Sequence, residues 1–181
     1  KMTDIVFNKE VSFVPADQLV GPICYGWSPS PFGQCFILIQ SDTVIGIAFK
    51  NDQTENQIET AIKAQWHDNT TKFKPFNTDK KAQNIFFESM PIQISFYGTQ
   101  FQAKIWKTLL KITMGETTTY SCIAKQTGNQ KAVRAVATAI GQNPIAWLIP
   151  CHRIIRKSGA LGGYRWGLEI KQMMLSKETK K

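Results

Sequence analysis

The sequence of 181 residues contains no run of about 18 apolar residues, the length that a membrane-spanning helix requires. Its first residues, Lys1 to Ile5, do not form a basic segment followed by an apolar core. We therefore expect no secretory signal, no membrane association and a cytoplasmic location, at the nucleoid in a bacterium. Cysteine is scarce, and we interpret its four residues as free thiols rather than as a disulfide framework.

Acidic residues are few in the second half of the chain. Residues 1–95 carry 8 Lys and Arg against 10 Asp and Glu, whereas residues 96–181 carry 14 against 3. A basic half beside a near-neutral half indicates a domain that binds a polyanion next to a structural domain. A basic surface that serves only solubility would give the same counts, so charge alone leaves both interpretations open.

The first half of the chain has the patterns of a mixed α/β domain. Apolar runs bounded by turn residues predict strands, and apolar residues four positions apart predict helices. The predicted strands cover 36–39, 44–49 and 92–96, and the first two form a predicted hairpin with a polar turn at Ser41 and Asp42. The predicted helices cover about 54–67 and 79–89, the second with Thr78 as its N-cap. We expect an α+β fold, in which an N-terminal α/β domain with a small sheet (1–92) precedes a mainly helical domain (97–181).

The second half of the chain shows three helix patterns in succession. Caps and apolar spacing predict a helix from Thr99, whose capping box includes Gln102, and further helices over 120–127 and about 130–140. Gly128 and Asn129, between the last two helices, tolerate positive φ. Two short helices joined by such a turn are typical of a helix-turn-helix, here about 119–141, although many helical hairpins of this shape do not bind DNA.

The third predicted helix consists largely of small residues. Six alanines and valines lie between positions 132 and 139, close to Lys131 and Arg134. One interpretation is a helix packed tightly into a core. The other is that Ala132 and Ala135 let the backbone enter a groove of double-stranded DNA. Because side chains that read bases in the major groove are scarce here, we expect minor-groove contact with little sequence preference.

The most specific segment runs from Asn143 to Arg153 and ends in Pro150-Cys151-His152-Arg153. Its apolar residues lead through the interior, and Pro150 fixes a turn before the cysteine. A thiol is mostly protonated at neutral pH, so Cys151 needs a base or a positive neighbour to act as a nucleophile. Adjacent side chains project in different directions, so we predict a proton relay from Cys151 to His152 through one water.

This segment and four other motifs resemble the 6-O-alkylguanine-DNA alkyltransferases, the methylated-DNA–protein-cysteine methyltransferase family. The resemblance covers roughly residues 98–178. Over residues 1–90 it extends only to the α/β character of the family's first domain, which is ribonuclease-H-like. The other motifs are Gly98-Thr99-x-Phe101-x-x-x-x-Trp106, Thr119-Tyr120-x-x-Ile123-Ala124, Ala132-x-Arg134-Ala135-Val136 and Gly162-Gly163-Tyr164.

The resemblance implies roles for residues around the cysteine. Glu178 would orient His152 in the relay, and Asn143 would tie the DNA-binding helix to the active-site turn. Arg134 would enter the base stack once the alkylated base has rotated out. Tyr120 would turn the target phosphate and contact the purine. From the residues alone, other roles stay open, such as a phosphate contact for Arg134 and a solvated terminal charge for Glu178.

The resemblance also implies a pocket for the flipped base. Its lining would comprise Pro150, Ile154, Tyr164, Arg165 and Trp166. The carbonyls of Cys151 and Ile154 would accept from the exocyclic amine of guanine, and Tyr164 and Arg165 would lie over the modified oxygen. Trp166 stands where some members of the family carry glycine, so we expect a narrower pocket that favours methyl over larger alkyl groups.

The implied reaction is DNA repair by one irreversible transfer. The alkyl group, chiefly methyl, would pass from 6-O-alkylguanine, and less well from 4-O-alkylthymine, to Cys151. It needs no metal or cofactor, and Cys24, Cys35 and His67 lack the paired spacing of metal ligands. We expect a monomer. Three other classes stay open: a relative that only binds lesions, a cysteine hydrolase and a DNA-binding regulator.

Overall fold

A computed structural model describes residues 4–66 and 71–179 of the chain, and His67 therefore lies outside the described residues. The chain divides into two compact units, Lys1–Tyr97 and Gly98–Lys181. Within the described ranges, no helix is both long and apolar enough to cross a membrane.

The first unit is built on a mixed sheet with two helices. Its described elements are β1 (Val11–Phe13), β2 (Ile23–Ser30), β3 (Gly33–Gln40), β4 (Thr43–Phe49), α1 (Glu55–Lys63), β5 (Phe73–Pro75), α2 (Asp79–Phe87) and β6 (Ile92–Ile94). The strand order is β1-β6-β4-β3-β2-β5. Strands β2, β3 and β4 pair antiparallel, whereas β1 and β5 pair in parallel at the two edges. Every residue of β4 is buried, so the core lies along the centre of this sheet.

The predicted hairpin is confirmed. Ser41 and Asp42 both have positive φ, +49° and +61°, and they join β3 to β4 directly. Two central residues with positive φ make the tight turn whose twist suits antiparallel strands. The helix predicted over 54–67 is confirmed in part, because α1 ends at Lys63.

Two details of the first unit differ from the prediction. Thr78 does precede α2, but its hydroxyl hydrogen bonds to the Ser28 hydroxyl (2.7 Å) and does not cap the helix. Strand β2 was not predicted, because its glycine, its proline and its two serines are typical of turns. Pro29 is tolerated there because it pairs with Gln34 beside the hairpin end, beyond the three residues that pair with β5.

The second unit is mainly helical. Its described elements are α3 (Gln100–Leu109), β7 (Thr118–Thr119), α4 (Tyr120–Gln126), α5 (Val133–Gly141), a 3-10 turn (Cys151–Arg153), β8 (Ile154–Ile155) and α6 (Leu168–Thr179). The capping box predicted at Thr99 and Gln102 is confirmed. The third predicted helix begins later than expected, at Val133, so Lys131 lies in the preceding turn and not on the helix.

Candidate active site

The segment that leads to Cys151 makes two tight turns. Trp147 is the centre of the first, with φ of +73°, and Pro150 is the centre of the second, with φ of −81° and ψ of 59°. In each turn the next N–H donates to the carbonyl of the preceding residue, at 2.9 Å and 2.8 Å respectively. These are γ-turns, and the positive-φ form is rare and strained. The second turn begins the short 3-10 helix that carries Cys151 and His152.

The side chain of Asn143 holds this bent segment together. Its Nδ2 donates to the Ile149 carbonyl (2.8 Å) and to Cys151 Sγ (3.1 Å), and its Oδ1 accepts from the Ile145 N–H (2.9 Å). Asn143 is buried, so all three hydrogen bonds lie away from solvent. One amide therefore links the end of α5 to the nucleophile candidate and orients a donor at its sulfur.

His152, Arg153 and Glu178 form a buried network. His152 Nε2 lies 2.8 Å from Glu178 Oε1, and the Arg153 guanidinium donates to both carboxylate oxygens at 2.8–3.1 Å. Burial raises the pKa of Glu178, but hydrogen bonds from His152 and Arg153 outweigh it and leave that pKa lowered. An ionised carboxylate only accepts, so Nε2 carries the proton and Nδ1 of the neutral imidazole is the free acceptor.

Burial dominates the electrostatics of the cysteine and the histidine. It raises the pKa of the Cys151 thiol, against the Asn143 hydrogen bond and the charges of Lys171 and Arg165. It lowers the pKa of His152 despite the Glu178 carboxylate. At neutral pH the resting pair is therefore a thiol and a neutral imidazole, which is a proton donor beside a group able to accept that proton.

Lys171 is a site residue that the sequence analysis missed. It is wholly buried on α6, and its ammonium group donates to the carbonyls of Ile154 (2.6 Å), Gly163 (3.1 Å) and Leu161. Burial lowers its pKa to about 8. Lys171 fixes the loop after β8. The Ile154 carbonyl, which the resemblance implies accepts a hydrogen bond from guanine, already accepts one from the Lys171 ammonium group. That oxygen keeps a second lone pair for another donor.

Two tyrosines predicted for the site lie within electrostatic range of the thiol. Tyr120, half-buried at the start of α4, and Tyr164 both have pKa values raised by burial and then by the negative charge that Cys151 can carry. Gly162 has φ of +70°, and a Cβ there would lie 2.9 Å from the Tyr120 hydroxyl, so glycine lets this loop approach. Trp166 is buried, with the Arg165 guanidinium over its ring at 4.9 Å.

Four of the predicted DNA-contacting residues lie in the turn before α5 and at its start, and the fifth, Tyr120, begins α4. Lys131, Arg134 and Ala135 are exposed, and Ala132 is half-buried at the N-cap position. The opposite face of α5 is buried through Val136, Ala139 and Ile140. The packing interpretation is therefore confirmed for the buried face, and contact with a DNA groove stays a prediction for the exposed face. Among the described residues, no cluster of three potential metal ligands occurs.

Comparison with known proteins gives a consistent set of relatives. The family model described as "6-O-methylguanine DNA methyltransferase, DNA binding domain" matches residues 100–180. The methylated-DNA–protein-cysteine methyltransferase of Haemophilus influenzae is 36% identical over 160 residues, which cover 85% of each chain. The Mycobacterium tuberculosis OGT, solved in complex with DNA, is 30% identical with a TM-score of 0.69, over 86% of this chain and 92% of that one.

The match to two other relatives covers only part of each relative's length. A probable methylated-DNA–protein-cysteine methyltransferase of Acanthamoeba polyphaga mimivirus is 51% identical over 100 residues, which are 55% of this chain and 65% of that protein. The Salmonella typhimurium regulatory protein Ada is 47% identical over 93 residues, 51% of this chain and 26% of Ada. The chain thus spans less than two thirds of either protein.

A thiol followed in the chain by a histidine that pairs with a buried carboxylate is the set of groups found around nucleophilic cysteines. The identity with the Haemophilus protein, which extends over most of both chains, shows which kind of protein this is. The chain belongs to the methylated-DNA–protein-cysteine methyltransferase family.

Proposed function

We propose that this protein repairs 6-O-alkylguanine, and less well 4-O-alkylthymine, in double-stranded DNA by one irreversible transfer of the alkyl group to Cys151. The observation that carries the proposal is that Cys151 Sγ accepts a hydrogen bond from Asn143 Nδ2 and is followed in the chain by His152, which pairs with the buried Glu178–Arg153 ion pair. A structural cysteine needs no donor at its sulfur and no buried base beside it. A nucleophilic cysteine needs both, because only the thiolate attacks carbon.

The proton of the thiol leaves through His152. Among the described residues, no protein group hydrogen bonds to the buried Nδ1 atom of His152, and an unpaired buried acceptor costs about 1–3 kcal/mol. A water between Sγ and Nδ1 satisfies this atom and carries the proton to the imidazole. Glu178 then balances the imidazolium charge through Nε2.

The transfer itself is a direct displacement at carbon. The Cys151 thiolate attacks the alkyl carbon and forms a C–S bond, while the bond from that carbon to O6 of guanine breaks and its electron pair goes to the base. The leaving base takes up a proton and becomes guanine. The thioether that remains on Cys151 has no ready hydrolysis route, so each molecule acts once. Tyr120 and Tyr164 are donors suited to the developing charge on the base.

The DNA contact assigned to this function is the helix pair α4–α5, acting as a helix-turn-helix. Arg134 and Ala135 are exposed on the first turns of α5, where small side chains suit a minor groove about 6 Å wide. Arg134 takes the place of the flipped base, and contact through phosphates and shape gives little sequence preference.

We assign a ribonuclease-H-like fold and a supporting role to the first unit, and monomeric action in the cytoplasm to the whole protein. Trp166 narrows the base pocket and favours methyl.

One reaction tests this function directly. The protein is incubated with a duplex containing a single 6-O-methylguanine, or with the same duplex unmodified, and peptides are mapped by mass spectrometry. We expect one methyl group per protein molecule, at Cys151, with the methylated duplex only. Turnover of excess duplex would instead indicate a hydrolase. Binding without methylation would indicate a relative that only marks lesions or a regulator.

Arg134→Ala tests the assignment of the arginine to the base stack. Unstacking a paired base costs a few kcal/mol, which is largely absent in a single strand. We therefore expect the variant to slow transfer from duplex DNA by about tenfold or more, and transfer from single-stranded DNA much less. Lys131→Ala, which removes an exposed cation from the preceding turn, serves as the control. Equal slowing on both substrates would reduce Arg134 to a phosphate contact.

A further inference from the structure

Trp147 has an unusual conformation close to the reacting groups. A bulky residue with φ of +73° is a genuine backbone outlier, and such positions persist only where the surroundings impose them. The γ-turn hydrogen bond across Trp147 and the Asn143 hydrogen bonds on either side provide that constraint. The conformation directs a large indole into the interior, where Trp147 is 5% exposed.

The indole lies flat against the imidazole of His152. Their ring centroids are 5.5 Å apart and the rings are inclined by 13°, which is an offset stack. His152 is wholly buried, and the indole covers one face of its ring. At the edge of the ring, Nε2 hydrogen bonds to Glu178. The stack therefore fixes the plane of the imidazole and thus the direction in which Nδ1 accepts.

We propose that Trp147 is a positioning residue, whose indole face stabilises the protonated form of His152 and thereby the thiolate of Cys151. The proposal rests on the proposed function, in which the histidine receives the thiol proton. A cation over an indole face is attracted by the ring quadrupole, and the attraction is largest where water is excluded. The imidazolium, unlike the neutral imidazole, gains this attraction.

The charged groups around His152 only partly stabilise its protonated form, so an added attraction from the indole matters. Glu178 on α6 favours the imidazolium, whereas Arg153 next to it and Lys171 on α6 oppose it, and burial opposes it most. Cys151 supplies the negative partner once its proton has left. The indole adds attraction without adding a charge, so it stabilises the imidazolium and leaves Glu178 free to pair with Arg153.

Site-specific replacement of Trp147 by tryptophan analogues with increasing fluorination tests the proposal. Fluorine weakens the negative face of the ring and keeps its shape. The rate of Cys151 methylation by the methylated duplex is measured from neutral to alkaline pH, together with Trp147→Phe and Trp147→Leu. At neutral pH we expect a graded fall in rate with increasing fluorination and a fall of about three- to thirty-fold for Leu. The rate of Phe should lie between those of wild type and Leu, because its ring attracts a cation less than indole does.

The pH dependence separates this role from packing. As the pH rises towards the pKa of the thiol, the thiol ionises without help from His152, so the rates of all variants should approach that of wild type. Two results together would overturn the proposal and leave Trp147 a packing residue. The methylation rate would not depend on fluorination, and Trp147→Leu would be slowed by the same factor at every pH. An unreactive wild-type protein would instead overturn the proposed function. Thermal unfolding of each variant shows whether a loss of rate reflects a loss of folded protein.

Discussion

Cys151→Ala is expected to abolish alkyl transfer while leaving the affinity for duplex DNA close to that of wild type. The sulfur is the atom that would form the new bond, so no partial activity should remain. The side chain is small and 8% exposed, and alanine keeps most of its volume. Lys131, Arg134 and Ala135, which are assigned to DNA contact, are exposed in the turn before α5 and on its first turn, so loss of the sulfur should leave them in place. Mass spectrometry measures the transfer, and a fluorescence titration measures the binding.

Cys122 provides a control that separates two causes of methylation: placement of the methylated base next to one cysteine, and the intrinsic reactivity of a thiol. It is exposed on α4, and hydrogen bonds with Thr119 and Thr118 lower the pKa of its thiol, whereas burial raises that of Cys151. A generic alkylating reagent such as iodoacetamide should therefore label Cys122 before Cys151. Methylated DNA should show the reverse preference. Cys122→Ala should transfer at the wild-type rate, and methyl transfer to Cys122 would contradict the site assigned here.

The sequence was sufficient to predict the site residues that are neighbours along the chain. Pro150, Cys151 and His152 are adjacent, so their proximity follows from the chain itself. Asn143, eight residues before the thiol, was assigned through the resemblance. Glu178 was assigned only through the resemblance, because nothing local connects it to a histidine 26 positions away. Its contact with His152 depends on how α6 packs across the 3-10 turn.

Lys171 and Trp147 could not be predicted in the same way. A lysine is rarely buried, and the three carbonyls that stabilise Lys171 belong to residues 8 to 17 positions away. Its spacing of seven residues from Glu178 places both on one helix face, which is the one signal that could have found it. Trp147 looks like any apolar residue in a buried run, and its residue type gives no sign of the positive φ that the hydrogen bonds of Asn143 on either side impose.

The fold shows the same division between local and distant causes. The hairpin turn at Ser41 and Asp42 and the capping box at Thr99 are fixed within a few residues, and both were predicted. Strand β2 forms because β3 and β5 pair with it on either side, although its own residues favour turns. Tertiary pairing outweighs local propensity at such a position.

Glu178→Gln is expected to lower both the transfer rate and the free energy of unfolding. The amide cannot balance an imidazolium, so we expect transfer to slow by about a hundredfold or more. It also leaves the Arg153 guanidinium, 7% exposed, without its anion, and breaking a buried pair in this way costs about 3–5 kcal/mol. Transfer kinetics and urea denaturation at neutral pH measure the two effects. Glu169→Gln, on the exposed first turn of α6, is the control and should change neither.

The pH dependence and a double variant identify the cause. The folded pKa of Glu178 lies below its unfolded value of about 4.3, so its contribution is complete above that pH and is lost as the pH falls through the folded value. The stability of Glu178→Gln and wild type should therefore converge in acid. Adding Arg153→Met removes the unpaired cation and should restore stability without restoring transfer, because His152 still lacks its carboxylate. A double variant that regains both would show that Glu178 only supports the fold, and the relay through His152 would then need another anion.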